Sequence, residues 1–286
     1  MTTTSRPPPV AADRTLRPLA PTGAVEAVRR NAVYLLLAVV GVGAFLYPFW
    51  LPAGTVSVDG AHAGDAPLVA SVIGLLALGA VVLEVRRGTM NGATIAILGV
   101  LSATAGMMKL LDLPGGGSGL FFLVILAGAA FGPRFGFLLG LTSFVVGAIL
   151  TGGIGPWLPF QMLALGWMGA GAGLLGRFTR RLPPVGELTL LLAYGWLWGF
   201  VYGGIMNLWF WPWFAGDGAL AWRPGLALGE TLRHYWAFYV ATSLAWDAAA
   251  ATANAVATAI LGRSILRTLR RFLHRLDPAV EFEPLT

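Results

Sequence analysis

The chain has 286 residues, 57% hydrophobic and 11% charged, with no cysteine and a formal net charge of +6. Soluble domains carry about 25% charged residues, so this composition excludes a water-soluble globular protein, and the missing thiols exclude disulfides and thiolate metal sites. The positive charge alone would admit a nucleic-acid partner, but the basic residues cluster at the ends of apolar runs, where they mark membrane topology instead.

Residues 1–28, with Pro7, Pro8, Pro9, Pro18 and Pro21 among scattered Thr and Arg, predict a disordered cytoplasmic tail. Apolar runs then predict eight spanning helices, at roughly 32–51, 66–85, 92–110, 117–131, 135–150, 157–176, 188–211 and 234–262. Their apolar character is continuous and does not alternate, which argues for helices and against a barrel. The fourth and fifth runs are short and meet at the breaker Phe131-Gly132-Pro133-Arg134-Phe135. The expected fold is an all-α polytopic membrane protein. A two-helix hairpin (29–88) precedes a six-helix domain (89–275), and a short cytoplasmic tail (276–286) follows. Arg29-Arg30 before the first run and Ala61-His62-Ala63 after it faintly resemble an export signal with a cleavage site. The run is longer than the usual 7–15 residues of such a signal, so the first helix is read as retained.

Of the 19 basic residues, all but Lys109, Arg223 and Arg233 fall on one side if the spans alternate. The positive-inside rule places that side, with both termini, in the cytoplasm of a multi-pass cell-membrane protein. Anionic lipid headgroups are the expected counter-charges, and no nucleic-acid partner is implied.

Lipid gives helices no hydrophobic reason to associate, so small residues at four-residue spacing mark close packing. Such pairs are Gly99 and Ala103; Gly136 and Gly140; Gly169 and Gly173; and the triplet Gly195, Gly199 and Gly203. Most are expected to serve packing inside the bundle; one pair is free to face another protein.

A buried polar face is expected on the last span, where Ser243, Asp247, Asn254 and Thr258 recur at helical spacing. Asp247 would lie about 13 residues, or roughly 20 Å, from that helix's outer end. A charge at such depth costs about 2.5–3.5 kcal/mol, so it must face protein or water, as a structural group or as part of a relay or ligand site. Seven of the 11 tryptophans sit at or beyond outer helix ends: Trp50, Trp157, Trp209, Trp211, Trp213, Trp222 and Trp236. A headgroup belt explains part of this, and an aromatic-walled site for a small organic solute is the alternative. The corner Thr151-Gly-Gly-Ile-Gly-Pro-Trp-Leu-Pro-Phe-Gln161 places Trp157 and Gln161 one turn apart. With Asn207, Trp209, Trp211, Trp213 and Arg223 these make the candidate substrate-binding set.

The only lysine is Lys109, so no phosphate loop of the G-x-x-x-x-G-K-[ST] type exists, and neither G-x-S-x-G nor H-E-x-x-H occurs. The three histidines lie far apart in sequence. No catalytic residue, cofactor or metal is called for, and the protein is read as a non-enzyme. Three classes stay open: a transport receptor powered by a partner, a membrane scaffold of another complex, and an ion-coupled secondary transporter.

Local motifs narrow the choice. The run Ala96-Ile-Leu-Gly-Val-Leu-Ser-Ala103, the turn Phe131-Gly-Pro-Arg-Phe-Gly136, the corner Gly152-Gly-Ile-Gly-Pro-Trp-Leu-Pro-Phe-Gln-Met162 and the Asp247…Asn254…Gly262-Arg263 segment are the relevant stretches. Over about 90–275 the chain resembles the substrate-specific S component of energy-coupling factor (ECF) transporters. That resemblance implies six helices, capture of a vitamin or related micronutrient near the outer face, and delivery inward with a transmembrane coupling subunit and two cytosolic ATPases. It implies that loops at 112–119, 151–158 and 209–233 close the site and that Gly99 and Ala103 dock the coupling subunit. The tryptophans suit a large ring system, with cobalamin-like cargo the first guess.

Overall fold

The computed structural model describes residues 24–50, 60–111, 119–214, 216 and 218–276, with 24–30 and 274–276 described by backbone alone. Most of the expected tails 1–28 and 276–286, and the loop 112–118, lie outside the described residues.

Every regular element among the described residues is helical: α1 (Ala24–Leu46), α2 (Ala66–Arg86), α3 (Gly92–Met108), α4 (Leu120–Phe131), α5 (Pro133–Thr151), α6 (Leu158–Thr179), α7 (Pro184–Phe210), α8 (Leu228–Thr242) and α9 (Leu244–Leu276), with short 3-10 turns at Tyr47–Phe49, Trp211–Trp213 and Gly218–Leu220. Six helical segments are long and apolar enough to cross a membrane, and α3 and α4 are shorter apolar helices. The starts and stops follow local chemistry. Asn91 caps α3 by accepting the Thr94 N–H at 2.9 Å. Gly132, at φ +100°, ends α4 so that Pro133 can open α5.

At 12 residues α4 spans about 18 Å, short of the roughly 30 Å of a bilayer core. Nearly all of it is buried among α5, α6 and α9. A helix enclosed by protein need not match the lipid thickness.

The glycine ridges are mostly internal, as expected. Gly136 and Gly169 bring α5 and α6 into backbone contact, Gly140 meets the Leu165 carbonyl, and Gly173 lies on the Gly132-Pro133 turn. On the other side Gly199 packs on Ala251 and Gly203 on Asp247, joining α7 to α9. Gly99 differs: nothing lies within 4 Å of where its side chain would be, and Gly99 and Ala103 are both exposed on α3.

The hairpin α1–α2 lies along α6 through Leu37, Ile73 and Leu163, with Phe137 and Leu141 of α5 behind. At its arginine-rich end, Arg134 Nη1 donates to Glu84 at 2.9 Å, and its Nε and Nη2 donate to Asn31 Oδ1 at 3.2 and 3.0 Å. Nearby, Arg180 donates to the Ala129 and Ala130 carbonyls at the end of α4, and Arg270 pairs with Glu187. These arginines therefore clamp helices together, where lipid headgroups alone were expected.

One expected span is corrected. The run 234–262 is two helices, not one: α8 ends at Thr242 and α9 begins at Leu244. Ser243, at φ −131°, ψ −32°, breaks the helical path. Asp247 accordingly sits in the first turn of α9, not 13 residues deep in a continuous helix. Its N–H bonds the Ser243 carbonyl at 2.9 Å, and a carboxylate there faces the positive end of the α9 dipole.

Candidate functional site: an aromatic cage over a buried polar cluster

The corner 151–161 is built by its glycines. Gly152 closes α5 at φ +67°, a left-handed cap. Gly155 can carry no side chain because the Trp157 ring lies across it. Trp157 Nε1 donates to the Gly153 carbonyl at 3.3 Å, so the ring is locked over the turn that precedes α6. This aims Trp157 at Trp209, edge to face with centroids 6.3 Å apart. Phe160 follows in the first turn of α6 and is fully buried.

Trp209 and Trp213, from the end of α7, are 4% and 8% exposed. The rings turn inward, as a site requires and a lipid belt does not. The space between them is occupied by His62 from the turn between α1 and α2. Its imidazole is 1% exposed, stacks on Trp209 (5.7 Å, 22°), and meets Phe160 at 4.6 Å, Trp213 at 5.2 Å and Tyr47 at 5.6 Å. Nε2 lies 3.1 Å from the Trp209 carbonyl and Nδ1 2.9 Å from Asp65 Oδ2, so each ring nitrogen faces an oxygen acceptor. The Trp209 and Trp213 indole N–H groups are buried without partners.

Beside the cage lies a polar cluster shared by α6, α7, α8 and α9. Ser243 donates to Asn207 Oδ1 at 3.0 Å, while Asn207 Nδ2 is buried with no partner. The Asp247 carboxylate rests on Gly203 and lies within hydrogen-bonding reach of the Tyr239 hydroxyl. Tyr202, Tyr235 and Tyr239 surround it within electrostatic range, and Tyr235 donates to the Gly204 carbonyl. Gln161 approaches Tyr202 but leaves Oε1 unpartnered. Two turns deeper, Asn254 Nδ2 donates to the Ala250 carbonyl at 3.0 Å and its Oδ1 is buried. These polar side chains converge among α6, α7, α8 and α9.

The expected residues thus divide. Trp209 and Trp213 line the cage, Trp157 packs edge-on behind Trp209, and Gln161 and Asn207 join the polar cluster with Ser243 and Asp247. Trp211 turns the other way: it is 1% exposed, donates to the Leu220 carbonyl at 2.9 Å, and packs on Tyr235 and Phe49, anchoring the 211–228 loop. Arg223 is exposed on that loop, and Asp217 lies outside the described residues. Sequence reasoning missed His62, which falls in the segment resembling a cleavage site. It also missed Tyr235 and Tyr239, whose four-residue spacing was the available signal.

Among the described residues no group of three or more His, Cys, Asp or Glu is arranged to hold a metal ion. A cleft of about 710 Å³ opens at the opposite, arginine-rich end, lined in part by Asn31, Glu84, Thr94, Arg134 and Arg177. Its Glu84–Arg134 pair is already satisfied, unlike the polar atoms beneath the cage.

No curated protein and no solved structure matches the chain. The model of one family does, described as the ECF transporter substrate-specific component, over residues 93–262. That match starts at α3, covers well over half of the chain, and takes in the corner, the α7–α9 contact and the polar cluster, leaving the α1–α2 hairpin outside it. On this ground the chain belongs to the substrate-specific components of ECF transporters.

Proposed function

We propose that the protein captures a ring-bearing vitamin or related micronutrient at its tryptophan-rich end and hands it inward with an ECF transmembrane coupling subunit and two cytosolic ATPases. The observation that carries this reading is the inward-turned Trp209 and Trp213 at the α1–α2 and α6 side of α7, with the buried polar atoms of Gln161 and Asn207 nearby on α6 and α7. Flat aromatic walls with a few convergent polar groups hold small organic ligands. The distribution of arginines supports an extracytoplasmic position for this end, with both termini inside a cell membrane. The exposed Gly99 and Ala103 support docking of the coupling subunit on α3, since small residues let a partner helix approach closely. Cobalamin-like cargo is the first candidate to test, because the rim is rich in tryptophan.

Two measurements test the reading. Protein extracted in mild detergent is analysed by native mass spectrometry for bound small molecules, and binding of cobalamin, riboflavin and thiamine is measured by equilibrium dialysis. Cargo retained by the wild type and lost in Trp157→Ala supports the reading; an empty protein that binds none of the three counts against it. Uptake that persists without any ATPase subunit would point to an ion-coupled transporter instead.

A further inference from the structure

His62 occupies the space where the proposed cargo would meet its aromatic walls, and it reaches that space from the hairpin that the family match does not include. We propose that the cage of Trp209, Trp213, Phe160 and Tyr47 is the subsite for a nitrogen-bearing heteroaromatic ring of the cargo, and that His62 is a tethered occupant which the cargo's ring displaces. This deepens the function proposed above and rests on its placement of the cargo site at the tryptophan-rich end.

Three observations support it. First, the way the imidazole is held describes what the cage selects. One face lies against Trp209, the edges of other rings surround it, and the Trp209 carbonyl faces a ring nitrogen at 3.1 Å. A flat heteroaromatic bearing an N–H meets the same requirements. Second, the cage is only partly satisfied by its present occupant. The indole N–H groups of Trp209 and Trp213 remain buried and unpartnered, and His62 offers them no acceptor, because its two nitrogens face Trp209 O and Asp65. A larger ring system with its own acceptors would fill what the imidazole leaves. Third, His62 holds φ at +58°, among the described residues the one non-glycine residue with positive φ. Histidine tolerates this left-handed conformation better than most side chains, yet it still carries a modest backbone cost that the surroundings offset. Leaving the cage would let that residue relax.

The arrangement also suits displacement. The turn 60–65 is held by two local backbone bonds, Ala63 N–H to Gly60 O at 3.2 Å and Ala66 N–H to His62 O at 2.9 Å, while Ala63 and Gly64 are exposed. The ring therefore sits beside the buried Ala61, and only Ala63 and Gly64 at the crest of the turn are exposed. Tethering gives an effective concentration of millimolar or more, so only a free competitor well above that level can replace the tethered ring.

The test uses the full chain, whose lack of cysteine allows a single reporter to be placed. Ala63→Cys, labelled with bimane, puts a fluorophore beside the cage tryptophans, which quench it at short range. The probe is free imidazole, with pyrrolidine at equal concentration and pH as the non-aromatic control. Unseating of the turn should raise bimane emission about twofold at roughly 0.2 M imidazole, well above the millimolar tether, and pyrrolidine should leave it unchanged. Emission that stays flat in imidazole, or rises equally in pyrrolidine, overturns the proposal. In His62→Ala the tethered competitor is gone, so imidazole should perturb the intrinsic tryptophan emission at a concentration at least about tenfold lower than in the wild type. No response in a folded His62→Ala protein also overturns it; if that variant does not fold, the bimane readout on the chain that retains His62 decides. Cargo dialysis reads the other claim separately. Cargo that binds while the turn stays seated removes the displaced-ring proposal alone, whereas an imidazole response without any cargo binding removes the proposed cargo function and leaves the ring subsite.

Discussion

The Asp247 carboxylate lies directly on the backbone of Gly203, with no room between them for even a methyl group. This contact sets how closely the first turn of α9 approaches α7, and it continues one turn on, where Gly199 meets Ala251. Gly203→Ala should therefore push the two helices apart. Overpacking of this kind costs about 1–3 kcal/mol. A lower midpoint of thermal unfolding in detergent, with no change for Gly99→Ala, is the expected result; equal stability of both variants would show that the helices adjust without loss.

The Glu84–Arg134 pair joins α2 to α5 at 2.9 Å, with the Glu84 side chain 4% and the Arg134 side chain 23% exposed. Removing one partner leaves the other charge poorly solvated, at a cost toward the lower end of roughly 3–5 kcal/mol because Arg134 keeps some contact with solvent. Glu84→Ala should loosen the hairpin from the core. The double variant Glu84→Ala/Arg134→Ala should recover part of the loss, and a double-mutant cycle on unfolding midpoints measures the coupling.

Gly99→Leu adds bulk where the structure leaves open space. Stability and cargo binding should stay at wild-type levels, while uptake with the coupling subunit and ATPases falls sharply. Normal uptake by this variant would place the docking face elsewhere.

Trp157→Ala removes the ring that packs edge-on behind Trp209 and frees the Gly153 carbonyl. Stacking contacts of this type are worth about 1–3 kcal/mol, so affinity for cargo should fall roughly tenfold to a hundredfold. Trp211→Phe should have little effect on affinity, because Trp211 packs away from the cage; its loss of the Leu220 hydrogen bond should appear as reduced stability instead. Equilibrium dialysis and thermal unfolding separate the two effects.

Much of this fold is legible in the sequence because lipid enforces simple rules. Long apolar runs must be helices, and most small residues four apart meet another backbone, as Gly136 and Gly140 do along α6. The break at Ser243 is not legible, since no proline or glycine interrupts the run Tyr239-Val-Ala-Thr-Ser-Leu-Ala-Trp246. It arises from tertiary context: α8 packs over the Trp211 loop while α9 follows α7. Of the site, the inward corner at Trp157 could be read from local chemistry. The insertion of His62 against Trp209 spans 147 residues of sequence, and nothing local to either residue announces it.

The 33 residues of α9 extend for about 50 Å, some 20 Å more than a bilayer core. Its last turns, carrying Arg263, Arg267, Arg270 and Arg271, stay packed on the bundle through Leu266 and Leu269 and are tied to α7 by the Arg270–Glu187 pair. A rotation of the bundle would therefore carry this arginine-bearing end of α9 along with α7, whose Glu187 holds it.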